Sequence, residues 1–87
     1  MNHTDTSAAA LTAIKPTAPI VREMVLAALR EAGEDGLTAD ECAVFIDTDR
    51  LNVRPRTTEL RSQGKIADSG LRRLNDSGKR AIVWRIN

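Results

Sequence analysis

Arg54, Thr58, Arg61 and Lys65 recur at steps of four, three and four residues. On a helix that spacing places all four on one face. Three of them are cations and the fourth carries a hydroxyl, with Arg56 on the flank. Such a ridge offers charge-assisted hydrogen bonds to an anionic partner. A second basic group, Arg72, Arg73, Lys79 and Arg80, surrounds the turn signal Asn75-Asp76-Ser77-Gly78. Nothing comparable points to catalysis. His3 is the single histidine and lies near the N-terminus, so no Ser/His or Cys/His pair can act together. Asp47 and Asp49 form too isolated a pair for a metal site. No enzyme activity, cofactor or metal is expected.

The charges are sorted along the chain. Residues 1–49 hold nine acidic and three basic side chains, a balance of −6. Residues 50–87 hold ten basic and three acidic ones, a balance of +7. A chain sorted in this way can turn a positive face to a polyanion while the rest stays acidic. The plainer reading is that each run forms a solvated face.

Eighty-seven residues make one domain. The hydrophobic fraction is 41% and the aromatic fraction 2%, from Phe45 and Trp84 alone, so the core must be aliphatic. No apolar run approaches the roughly 20 residues that span a bilayer, and no membrane association is expected. The N-terminus lacks the basic start and apolar stretch of a signal peptide. The single cysteine, Cys42, has no internal disulfide partner. A cytoplasmic protein is the expectation.

Residues 1–16 read as a mobile tail, within which AAALTAI has the composition for a short helical turn. Helix 1 should open at Thr17-Ala18-Pro19, because proline suits the first helical position. Ile20, Val21, Met24, Val25, Ala28 and Leu29 give it one apolar stripe, and Gly33 should end it. Asp35-Gly36 makes a turn before Leu37. Thr38-Ala39-Asp40-Glu41 matches a capping box and starts helix 2, about residues 39–46, with Cys42, Phe45 and Ile46 inward. Helix 3 is expected over 53–63, capped by Asn52 and Gly64, since Pro55 is tolerated only in a first turn. Val53, Thr57 and Leu60 should face its core. Segments 65–74 and 79–86 read as a β-hairpin with a bulge at Ser69-Gly70. In the second strand Ile82, Trp84 and Ile86 should face inward and Ala81, Val83 and Arg85 outward.

The resulting order is helix, short strand, helix, helix, hairpin: an α+β arrangement. The capping box at 38–41, the run VRPRTTELRSQGKI at 53–66 and the hairpin LRRLNDSGKRAIVW at 71–84 resemble the winged helix-turn-helix fold. The resemblance covers about residues 18–87, and the hairpin looks like the wing of small bacterial and phage-encoded members. It implies that helix 3 enters the major groove of double-stranded DNA with Arg54, Arg56, Thr58, Arg61 and Lys65. It also implies that Arg72, Arg73, Lys79 and Arg80 meet phosphates from the wing. The implied role is a small transcriptional regulator, with homodimerisation through helix 1 or the N-terminal segment as one route to paired half-sites. Winged helices also serve as protein-interaction modules. The alternative is therefore a phage inhibitor of a host nucleoprotein complex, or a protein partner docked on the acidic N-terminal half.

Overall fold

Three helices and an antiparallel hairpin form an α+β unit in the computed structural model, which describes residues 16–87. Expectations for the tail, its AAALTAI segment and His3 lie outside the described residues. Helix α1 runs Ala18–Ala32 with Pro19 in its first turn, and Gly33 closes it. A short 3-10 turn, Gly33–Asp35, leads to Leu37. Helix α2 spans Ala39–Phe45 and α3 spans Arg50–Ser62. Strands β1 (Ile66–Leu74) and β2 (Arg80–Ile86) pair antiparallel. Leu37 adds one residue of a third strand on the far edge of β2. Its N–H donates to the Trp84 carbonyl at 3.0 Å and its carbonyl accepts from the Trp84 N–H at 2.8 Å.

The capping box forms as expected. The Thr38 hydroxyl accepts from the Glu41 N–H at 3.1 Å, and a Glu41 carboxylate oxygen accepts from the Thr38 N–H at 2.8 Å. The core gathers Val21, Val25, Leu26 and Leu29 of α1, Cys42 and Ala43 of α2, Val53 and Leu60 of α3, and Ile66 and Trp84 of the hairpin. Each fully buried aliphatic side chain here stabilises by roughly 1.5–3 kcal/mol relative to exposure.

Several expectations need correction. Phe45 does not face inward. It is 59% exposed, because α2 has only seven residues and buries its Cys42–Ala43 side. Ile20 is exposed as well, at the solvent edge of the α1 stripe. Helix α3 starts three residues earlier than expected. Its cap is Asp49, whose Oδ1 accepts from the Leu51 N–H at 2.9 Å, and not Asn52. Asn52 instead donates to the Pro16 carbonyl at 2.9 Å and ties the start of α1 to α3. Pro55 consequently sits in the second helical turn. There it deprives only the exposed Leu51 carbonyl of a donor, a loss that solvent can make good. At the other end of α3 the cap is Gln63, and Gly64 follows it with φ +75°.

On β2 the inward and outward sets are less clean than alternation predicts. Trp84 is buried as expected, yet Val83 on the opposite face is fully buried too, and Ile86 lies at the exposed rim. The chain at Gly36 covers Val83 from the other side. The bulge accounts for the register. Asp68 pairs with Trp84 and Arg72 with Ile82, so Ser69, Gly70 and Leu71 oppose Val83 alone.

Candidate nucleic-acid interface

Arg54, Thr58 and Arg61 are exposed on the side of α3 away from the core, as their spacing required, whereas Lys65, also exposed, lies past the end of the helix in the bend before β1 and not on its face. Arg50 lies one turn before Arg54 and extends the ridge. It was not among the expected site residues, because the helix was started at residue 53. The aspartate immediately ahead of it, a preferred N-cap type, is the signal that marks the true start.

Arg54 and Thr58 form one wall of a groove. Ala81, Ile82 and Trp84 of β2 and Asn75 of the hairpin turn form the other. Arg54 is not loose in this groove. Its Nε donates to Oδ1 of Asp40 at 2.9 Å and its Nη2 to Oδ2 at 2.8 Å. Asp40 is the second residue of α2, where the helix dipole favours a carboxylate. The Arg54 hydrogen bonds hold the Asp40 carboxyl below the ordinary carboxylate range. The charges of Arg54 and Arg50 add to this and partial burial opposes it.

Arg61 stands over the Trp84 ring, 5.7 Å from its centroid, in cation–π range. The indole thus serves the core with one part and steadies a ridge cation with another. On the hairpin, Arg72 pairs with Asp68 at 2.9 Å across the bulge. That pairing, and then the Gly70 N–H, hold the Asp68 carboxyl below its ordinary range. Lys79 and Arg80 are exposed beside the turn.

Two of the expected residues belong to the framework instead. Arg56 turns toward α1 and pairs with Glu59 at 2.8 Å, and Glu59 also takes Arg22 of α1 at 2.7 Å. This three-residue cluster joins α1 to α3. Arg73 donates through Nη2 to the carbonyls of Gly36 and Asp35 and to Glu41 at 2.9 Å, fastening the hairpin to the start of α2. The structure therefore brings Arg54, Thr58 and Arg61 together on the ridge, with Lys65 just past its end and Arg72, Lys79 and Arg80 on the hairpin. Arg56 and Arg73 stand apart from both groups.

Among the described residues, Arg50, Arg61, Lys65, Lys79, Arg80 and Arg85 of the basic half take part in no ion pair. Five of these six lie on the ridge, just past its end or at the hairpin turn, and Arg85 sits at the far end of β2. A cleft beside the ridge has the opposite character. Glu41, Asp47, Asp49 and Asp76 line it along with Val44 and Leu74. This arrangement sets a surplus of positive charge along α3 and the hairpin against negative charge at the α2–α3 turn. Among the described residues no group of three metal-ligating side chains occurs, and no helix is long and apolar enough to cross a membrane.

Comparison of the chain with models of protein families, with curated proteins and with solved structures finds no match.

Proposed function

We propose that the chain is a winged helix-turn-helix DNA-binding protein, acting as a small transcriptional regulator of phage or bacterial type. The observation that carries this reading is the groove in which the basic ridge of α3 faces the hairpin, with Arg54 and Thr58 in its wall. The element order and the Leu37 bridge to β2 support the fold assignment. In this reading α3 lies in the major groove. Arg54 and Thr58 reach base edges, arginine to guanine O6 and N7 and threonine to a base edge or a thymine methyl. Arg50, Arg61 and Lys65 lie along the phosphates, and Arg72, Lys79 and Arg80 hold the backbone from the hairpin, fixing register without reading sequence.

The test is fluorescence anisotropy with a random-sequence duplex across a salt series, for the wild-type protein and for Arg61→Ala/Lys65→Ala. Phosphate contacts release counterions, so log affinity should fall against log salt with a slope of about −0.9 per contact. The double variant should flatten that slope by about 1.8 and weaken binding to all sequences alike. Absence of salt-dependent binding by the wild type would refute the reading. It would favour protein docking on the acidic half instead, for which the α2 surface offers exposed Val44 and Phe45 beside the carboxylate-lined cleft.

A further inference from the structure

Arginine carries five N–H donors in a rigid planar fork. Asp40 engages Arg54 from the side, through Nε and one Nη2 hydrogen. Three donors remain free, and one on Nη1 and one on Nη2 point off the end of the fork. That end is the edge that binds guanine O6 and N7 with two parallel hydrogen bonds. A free arginine on an exposed helix face samples many rotamers and loses that freedom on binding. Arg54 is already held, because both oxygens of one carboxylate fix the plane of its guanidinium. Thr58, one turn along α3, shares the same groove wall.

We propose that Asp40 is a positioning residue for base specificity: it locks Arg54 as a preset fork that selects guanine at one position of the DNA site. This rests on the DNA-binding reading above and assigns to its α3 ridge one reading contact. Asp40 lines the same groove and acts through Arg54. Its side chain is only 19% exposed and both oxygens are occupied, so it brings little free negative charge to the phosphates. Loss of Asp40 should therefore leave the affinity for arbitrary duplex unchanged or raise it, while degrading the choice of base. Loss of a purely structural ion pair would leave the choice of base intact. Because the Arg54 side of the pair is 46% exposed, the pair contributes little to folding, and its variants should remain folded.

The experiment is selection from a random-sequence duplex library with wild type, Arg54→Ala, Asp40→Ala, Asp40→Asn and the Arg54→Ala/Asp40→Ala double variant. Single-base substitutions in the enriched site are then read by anisotropy. Wild type should enrich a fixed guanine, and Arg54→Ala should lose on the order of tenfold in guanine preference at that position alone. Asp40→Ala should lose most of the same preference, with Asp40→Asn between. The double variant should be no worse than Arg54→Ala, since both act on one contact. If Asp40→Ala and Asp40→Asn keep the wild-type guanine preference, or if Arg54→Ala affects no guanine, the positioning proposal is wrong and DNA binding stands. If the wild type shows no salt-dependent DNA binding at all, the underlying functional reading fails with it.

Discussion

Gly36 has no room for a side chain. A Cβ there would collide with the Trp84 carbonyl oxygen and lie 2.8 Å from Val83 Cγ1, and the residue sits at φ +62°. The nearest atom is backbone in the middle strand, so it cannot swing aside. Gly64 shares the positive φ, at +75°, with nothing within 4 Å of its Cβ position. The pair separates two costs. Gly64→Ala should lose only the left-handed backbone penalty, about 1–2 kcal/mol. Gly36→Ala should add a displacement of β2 and lose more than about 3 kcal/mol in total. Thermal unfolding followed by the fluorescence of Trp84 checks both. Equal losses would mean that the sheet gives way easily at Leu37. Asp47, at φ +52°, occupies the same region without glycine, as aspartate sometimes does when a helix ends on it.

At the scale of elements, α3 is the one built against a local preference. Pro55 lies inside it as the sixth residue, where it cannot donate to the Leu51 carbonyl. Pro55→Ala restores that bond and relieves the ring against the preceding turn, offset in part by the greater freedom of the unfolded chain. The expected net gain is about 1–2 kcal/mol, read as a higher urea midpoint at unchanged slope. A lower midpoint would show that the ring packs usefully on the ridge. The element order was legible in the sequence because its signals are local: the Thr38–Glu41 box, the Asn75–Gly78 turn and the Ser69-Gly70 bulge each lie within a few residues. The start of α3 was misread because Pro55, a strong local signal, outweighed the Asp49 cap. The burial of Val83 was hidden for another reason. It depends on Gly36, nearly fifty residues away, covering a strand face that alternation assigns to solvent. The candidate site divides in the same way. The helical spacing of 54, 58 and 61 reads directly, whereas residue 65 falls beyond the Gln63-Gly64 turn that ends the helix. The partners that leave Arg54 poised and draw Arg56 and Arg73 into the framework lie on other elements, except for the Arg56–Glu59 pair.

For the whole molecule, the sorted charges are partly spent within the fold. Arg22–Glu59, Arg54–Asp40 and Arg73–Glu41 each join an acidic-half residue to a basic-half one, leaving the surplus cations on α3 and the hairpin. Such pairs, half-buried at the surface, contribute little stability each. The pH dependence of folding is instead clearest at Cys42, fully buried in the core, where burial and then the Glu41 charge push its thiol from 9.0 up to about 12. The native thiol keeps its proton while the unfolded one ionises, so the unfolded chain binds fewer protons over that window. Stability from this group is intact below pH 9.0 and falls as pH rises toward 12. The fall should approach about 1.4 kcal/mol per pH unit beyond what Cys42→Ala shows in parallel urea titrations. Identical alkaline slopes for the two proteins would show that the thiol is not shielded. The Leu37–Trp84 bridge bears on biosynthesis. It makes β2 the middle of the sheet, flanked by a segment made long before it and by β1. Residues 80–86 are also the last of these elements to leave the ribosome. Until they emerge, Leu37 has no partner and the core of α1, α2 and α3 lacks its tryptophan, so the nascent chain must wait, half covered, for β2.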